Sequence, residues 1–305
     1  MELSLILLNQ VTIVFILIAV GFILRKTNTV NETGVKQMAN VLLLFVTPSV
    51  LIISYQRDFK AELAMNLLLA TIFALIVHIV MILISTIIYR KKSNGKSRIN
   101  IFSSIYSNCG YMAVPLLSSV LGDTGVFYGS AYLAIFQILV WTHGITVCSG
   151  DIKSLSIKKA FINPGVLGVA ISLFLFFAGI KLPKIILEPV KYMAGLNTPL
   201  AMLILGSYLA NVDFKKTFAK ASIYGVFFLR LILFPVIAFF LARLMNLQSD
   251  VLAANLICAS CPVATIATLF ASKYDLDAGY ASEIVSISTL LSILTIPLVM
   301  MLTSI

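Results

Sequence analysis

An apolar run over about residues 99–121 is long enough to cross a bilayer, yet it contains residues that an uninterrupted membrane helix avoids. Pro115 cannot donate a backbone hydrogen bond, and Gly110 weakens the turn before it. Backbone groups freed inside hydrocarbon are costly unless protein, water or a ligand satisfies them. The run therefore predicts a broken helix that borders a cavity or a binding site.

A second apolar run, over about residues 251–271, has the same character. It contains Cys258-Ala-Ser-Cys-Pro262-Val-Ala-Thr265, in which the proline again interrupts the helix. Two interrupted segments in corresponding places of two halves indicate an inverted-repeat transporter.

Composition places the whole chain in a membrane. Of its 305 residues, 60% are hydrophobic and only 11% are charged, whereas a soluble domain carries roughly 25% charge. The net charge of +10 lies in short loops between apolar runs, so it does not indicate a nucleic-acid partner. The chain has no Walker A, G-x-S-x-G or H-E-x-x-H motif, so we expect neither an enzyme nor an ATP-driven pump.

The sequence predicts an all-α polytopic membrane protein with ten transmembrane helices, forming one transporter domain over residues 1–305. An odd number of spans per half inverts the second half, so two inverted five-helix repeats are expected over about 1–150 and 160–305. In chain order the predicted spans cover about 4–24, 35–54, 63–89, 99–121, 126–148, 163–179, 190–210, 221–243, 250–271 and 278–302.

Basic residues in the loops predict the orientation of the chain. Most lysines and arginines lie in one set of alternate loops, among them Arg25, Lys26, Lys36, and the basic loop over residues 89–98. Because cytoplasmic loops carry an excess of Lys and Arg, both termini are predicted to be extracytoplasmic in a multi-pass protein of the plasma membrane.

Several spaced motifs resemble those of the auxin efflux carrier family, which includes the plant PIN-formed auxin transporters and bacterial organic-acid permeases. The resemblance covers essentially the whole chain. In order, the motifs are Asn108-x-Gly110-x4-Pro115, Gln137-x3-Trp141, Asn197-Thr-Pro199-x6-Gly206, Pro262-x7-Phe270-Ala-x-Lys273-Tyr274 and Leu294-Thr-Ile-Pro297.

The resemblance implies how the spans divide and where the substrate binds. Spans one, two, six and seven would form a scaffold, and spans three to five and eight to ten a transport domain. Spans four and nine would cross at Pro115 and Pro262, with the substrate beside the crossing. Asn108 and Gln137 match positions that bind or line the substrate pocket in plant relatives.

Residue chemistry supports an anion site at this crossing. Half-helix N-termini present unpaired N–H groups and a positive dipole end, and Asn108 and Gln137 add amide donors. Capping of the broken helix is the alternative role for Asn108. Further pocket candidates are Ser107, Gly110, Tyr111, Ser260 and Thr265, whereas Trp141 is expected to be a packing aromatic.

Charged residues inside the spans are costly and are usually paired or functional. Arg230 and Glu283 are predicted to lie at similar depth, which favours an ion pair, with proton coupling through Glu283 and snorkelling as alternatives. His78 is a candidate proton carrier or a satisfied packing residue. Neither a cofactor nor a metal is expected, because the Cys258-x-x-Cys261 pair has no nearby histidine or second cysteine pair in the sequence.

Two functional hypotheses follow from these residues. The first is a secondary-active or facilitative carrier for small organic anions, such as malate, malonate or other weak acids. The second is a sodium/proton antiporter of similar architecture, although such exchangers usually need an acidic residue at the crossing. Proton coupling, sodium coupling and assembly as a homodimer all stay open.

Overall fold

The structure is a computed structural model that describes residues 2–89, 95–151, 153, 161–210 and 220–304. The centre of the predicted basic loop, residues 90–94, lies outside these ranges. The helices are α1 (Glu2–Lys26), α2 (Glu32–Ser54), α3 (Ala61–Tyr89), α4 (Gly95–Ile105), α5 (Cys109–Ser149), α6 (Pro164–Phe177), α7 (Lys184–Gly195), α8 (Asn197–Leu209), α9 (Ala221–Leu244), α10 (Ser249–Ser260), α11 (Ile266–Lys273) and α12 (Ala278–Thr303).

These helices confirm the all-α class and agree with a polytopic membrane protein. Among the described residues, five helices are long and apolar enough to cross a membrane: α2, α3, α5, α9 and α12. In α3 the apolar residues that stay exposed recur at helical spacing along one face, which is typical of a helix facing lipid. They are Leu68, Ile72, Leu75, Ile79 and Leu83.

Helices α1 and α8 pack along each other more extensively than any other pair. Their backbones come close because glycines face the partner helix: a Cβ added to Gly21 would lie 2.3 Å from Leu203 O, and one added to Gly206 only 1.9 Å from Ile18 O. Small residues allow this approach in membrane helices. Helices α2 and α7 pack against α8, and α6 packs against α2.

A second set of helices packs around the two interrupted segments. Helix α10 contacts α3, α5, α9 and α12, and α4 contacts α3, α9 and α12. Contacts between the two sets include those of α5 with α2 and α6, and of α1 with α12. These contacts describe neighbouring helices, and the division into scaffold and transport spans stays a prediction.

The first interruption does not lie where the sequence predicted it. Helix α4 ends at Ile105, and α5 begins at Cys109, so the break covers residues 106–108. Pro115 lies beyond it, in the first turn of a regular helical stretch that begins at Val114. A π-helical turn over Cys109–Ala113 directly precedes this stretch, so the helix is irregular where the proline lacks its N–H. The second break does contain its proline, since α10 ends at Ser260 and α11 begins at Ile266.

The fourth and fifth predicted spans meet without a loop. Helix α5 reverses direction at Gly122, whose φ of 62° and ψ of −152° are accessible almost only to glycine. As a result, Leu117 on the first limb packs against Gly129 on the second. A Cβ added to Gly129 would lie 2.3 Å from Cδ1 of Leu117.

The seventh predicted span, 190–210, is shorter than expected. Helix α8 begins at Asn197, and the preceding α7 is a separate helix with no buried residue. Pro189 within α7 and its polar Lys184, Glu188 and Lys191 suit a helix on the surface.

Candidate functional site

The two breaks lie against each other as a short antiparallel bridge between Ser107 and Val263. Asn108 N donates to Pro262 O at 2.7 Å, and Ala264 N donates to Tyr106 O at 2.9 Å. Val263 N donates to the Ser288 hydroxyl at 3.1 Å. The two breaks therefore pair with each other at Ser107 and Val263, away from Pro115, and supply each other with backbone partners that hydrocarbon could not provide.

A cavity of about 730 Å³ lies beside this bridge, between the two sets of helices. Its wall combines the first residues of α5 and α11 with residues of α2, α6, α8 and α12. The polar and aromatic lining residues are Arg25, Glu32, Lys36, Asn40, Asn108, Tyr111, Phe136, Gln137, Trp141, Asn163, Ser207, Tyr208, Thr265, Thr268, Ser272, Ser282 and Ser286.

Asn108 supplies an amide donor that the protein leaves unused. The residue belongs to the cavity wall and is only 2% exposed, and its buried Nδ2 atom has no hydrogen-bond partner among the described residues. It makes no side-chain capping bond to α5. Capping therefore does not account for this asparagine, and an unpaired buried amide costs about 1–3 kcal/mol unless a ligand or water completes it.

Gln137 lies in the same wall, on the second limb of α5. Its amide packs against the start of α6, where a Cβ added to Gly165 would come 2.8 Å from Gln137 Nε2. Asn163 begins that helix by accepting a hydrogen bond from Val166 N at 3.0 Å. An N-cap residue followed by proline is a helix-start signal, so the sequence could have predicted that a helix begins at Asn163.

Of the remaining predicted pocket residues, Gly110, Tyr111 and Thr265 line the cavity, and Ser260 does not. Ser260 is buried within α10, and its hydroxyl donates to Leu256 O at 2.7 Å. Trp141 packs edge-on against Phe270, as expected of a packing aromatic, but it also forms part of the wall.

Ser107, Pro115, Pro262 and His78 lie outside the cavity wall. Ser107 and Pro262 belong to the bridge itself. His78 is fully buried, with Nδ1 2.7 Å from Ala74 O and its ring 4.7 Å from that of Tyr132. Its Nε2 atom has no hydrogen-bond partner among the described residues, so packing and proton transfer both stay open as roles for His78.

The predicted ion pair between Arg230 and Glu283 is wrong. Glu283 instead accepts a hydrogen bond from Lys220, with 2.5 Å between Nζ and Oε2. Arg230 points into the protein and donates to backbone carbonyls, including Ile105 O at 2.7 Å. The predicted similarity in depth did not make the two charges partners, because their side chains project to different neighbours.

The cavity reaches the surface near the start of α2. Glu32 and Lys36, both largely exposed, form an ion pair at 2.7 Å there, and Arg25 lies in the same part of the wall. Glu32 is the single carboxylate among the described lining residues, and it is far in sequence from the crossing. Within the described ranges, no group of three or more His, Cys, Asp or Glu side chains could hold a metal ion.

Comparison with known proteins agrees with the membrane architecture. A family model described as a membrane transport protein matches residues 6–155 and 147–300. An uncharacterised transporter of Methanocaldococcus jannaschii is 25% identical over 308 residues, covering 95% of this chain and 97% of that protein. A second uncharacterised transporter, from Methanothermobacter thermautotrophicus, is 25% identical over 295 residues, covering 93% of this chain and 94% of its own. The chain therefore belongs to this membrane transport protein family, the auxin efflux carrier family that its motifs resemble.

Proposed function

We propose that this transporter is a secondary-active or facilitative carrier of small organic anions, such as malate, malonate or other weak acids. The single observation that carries the proposal is the unpartnered Nδ2 of Asn108, a buried donor at the wall of the cavity. A carboxylate oxygen is the natural acceptor for such a donor, because hydrogen bonds to charged groups are the stronger ones.

The helix ends at the cavity favour negative charge. Both α5 and α11 begin at its wall, with Gly110 and Tyr111 in the first turn of one and Thr265 and Ile266 at the start of the other. The first N–H groups of a helix have no intrahelical acceptor and form the positive end of its dipole. Gln137 adds a further amide.

The arrangement of acids argues against cation exchange at this site. A sodium/proton antiporter needs a carboxylate that binds the cation or the proton, and the described residues of the crossing place only amides and hydroxyls in the wall. The one lining carboxylate, Glu32, is largely exposed and already paired with Lys36. The anion carrier is therefore the better account of the cavity.

Alternating access would proceed by movement of the crossing-helix set against the set that contains α1 and α8. The cavity lies between the two sets, which is where relative motion would open and close it. Its exposed end carries Arg25 and Lys36, residues of a predicted cytoplasmic loop, so this conformation would be open to the cytoplasm of a plasma-membrane protein with both termini outside.

Flux into proteoliposomes tests the proposal directly. Wild-type protein is reconstituted, and uptake is measured for a panel of labelled mono- and dicarboxylates and for labelled Na⁺. Asn108→Ala should lower the apparent affinity for the transported acid roughly ten- to a hundred-fold, since a lost hydrogen bond to a charged group costs about 1.5–3 kcal/mol.

Asn108→Asp separates the two hypotheses. The added charge repels a carboxylate, so anion flux should fall below that of Asn108→Ala, whereas a cation exchanger would tolerate or benefit from an acid at the crossing. Both variants must elute as folded protein. Wild-type rates of anion uptake by Asn108→Asp, or flux of Na⁺ and none of the acids by the wild type, would refute the anion carrier.

A further inference from the structure

Arg230 is a buried cation for which the described residues provide no carboxylate partner. It lies in α9, is 0% exposed, and donates through Nη1 to Ile105 O at 2.7 Å and to Ser104 O at 3.3 Å. Its Nη2 atom donates to Ala259 O. Nη1 also lies 3.7 Å from the Met81 sulfur, so the head of the side chain is enclosed by protein.

The three carbonyls have one feature in common, which is their position at helix ends. Ser104 and Ile105 are the last two residues of α4, and Ala259 is the next-to-last residue of α10. The last four carbonyls of a helix have no intrahelical donor and carry about half a negative charge. Two such ends together carry about one negative charge, which a single guanidinium matches.

Broken-helix carriers commonly use this kind of position to bind a coupling ion. Unwound carbonyls and the C-terminal ends of half-helices coordinate Na⁺ or a proton-bearing group, while the N-terminal ends bind the substrate anion. Here the N-terminal ends of α5 and α11 line the cavity, and the C-terminal ends of α4 and α10 meet at Arg230.

We propose that Arg230 is a fixed counter-ion of the crossing, occupying the position at the two C-terminal helix ends where a coupling cation would otherwise bind. The same contacts position the site, because through Arg230 they join Ile105, the residue just before the first break, to Ala259, the next-to-last residue before the second. Asn108 lies three residues after Ile105, so Arg230 helps to fix the segment that carries this amide. This inference concerns the charge balance of the crossing and does not depend on the identity of the cargo.

The test compares three proteins by thermal unfolding in detergent, in NaCl and in choline chloride at equal ionic strength. Arg230→Met removes the charge and keeps much of the volume, and Arg230→Lys is the conservative variant that keeps a cation. The unfolding temperature of the wild type should be the same in NaCl and in choline chloride, and so should that of Arg230→Lys. Arg230→Met should unfold earlier in choline and recover part of the loss in Na⁺, which is small enough to enter between the exposed carbonyls.

If Arg230→Met yields no folded protein in either salt, a second variant tests the proposal by returning a positive charge from a neighbouring helix. Met81 is 1% exposed and touches the guanidinium, so Met81→Lys combined with Arg230→Met returns a cation to the same place from α3. Recovery of folded protein by this double variant, and not by Met81→Leu with Arg230→Met, supports a counter-ion. Three results overturn it: Arg230→Met as stable as the wild type, equal stability of a folded Arg230→Met in Na⁺ and choline, or no recovery by the relocated lysine.

Discussion

Replacement of Gly206 by alanine would test the close approach of helices α1 and α8. The added Cβ would lie 1.9 Å from Ile18 O and 2.7 Å from Phe22 N, and both are backbone atoms of α1. Ordinary van der Waals contact begins at 3.4 Å, so the shortfall at Ile18 O is about 1.5 Å. No side-chain rotation can relieve it, because the opposing atoms belong to the main chain.

The expected loss of stability is a difference between two effects. Overpacking of a close-packed contact costs about 1–3 kcal/mol, and a backbone obstacle places Gly206 at the upper end of that range. Alanine gains about 1 kcal/mol over glycine inside a helix. We therefore expect Gly206→Ala to lose about 2 kcal/mol, with α8 displaced from α1.

Thermal unfolding of purified protein in detergent measures this change, with Gly195→Ala as the matched control. A Cβ at Gly195 meets no atom within 4 Å, so that variant should unfold at or slightly above the wild-type temperature. Gly21→Ala, whose Cβ would lie 2.3 Å from Leu203 O on the same interface, should behave like Gly206→Ala. Equal unfolding temperatures for Gly206→Ala and Gly195→Ala would refute the close approach of the two backbones.

Three further predictions concern the pocket, the corrected ion pair and the orientation. Gly165→Ala should weaken substrate affinity several-fold in the flux assay while leaving the yield of folded protein unchanged, since its Cβ would displace only the flexible Gln137 amide 2.8 Å away; unchanged affinity would argue against Gln137 as a substrate contact. Glu283→Gln should lower stability by only about 0.2–1 kcal/mol in thermal unfolding, because its partner Lys220 is 40% exposed and water screens the pair; a severe loss would contradict this. In a cysteine-less background, Ser304→Cys should react with an impermeant thiol reagent added to intact cells and Ser93→Cys should not, and the reverse pattern would invert the predicted topology.

Apolar runs and helix breakers were sufficient to predict the interrupted segments, but only one break was placed correctly. The sequence pointed to Gly110 and Pro115, because both are poor helix residues, whereas the helix opens earlier, at residues 106–108. There the interruption comes from pairing with residues 262–264 of the other half. A contact between segments some 150 residues apart leaves no local signal, since Tyr106 and Ser107 are ordinary helix residues.

Partners of the buried charges could not be predicted for a related reason. Depth along a helix can be estimated from the sequence, but the direction of a side chain depends on how the helices rotate when they pack. Arg230 and Glu283 were predicted to lie at similar depth, yet they point to different neighbours. The true partners of Arg230 are backbone carbonyls, which every residue carries and no motif can mark.

The same limit explains which pocket residues the sequence found. Asn108 and Thr265 are the last residues of the two breaks, and Gly110 and Tyr111 lie in the first turn of α5, so all four lie where a half-helix begins at the cavity wall. Ser260 precedes its break, so it belongs to the helix end that meets Arg230 on the other side of the bridge. In the proposed carrier, the direction of the chain through each break thus decides whether a residue meets an anion or a counter-ion. Preference for an anion would then arise from the helix N-terminal ends that border the cavity, with Asn108 adding a further donor. It would not require a basic side chain beside the bound carboxylate.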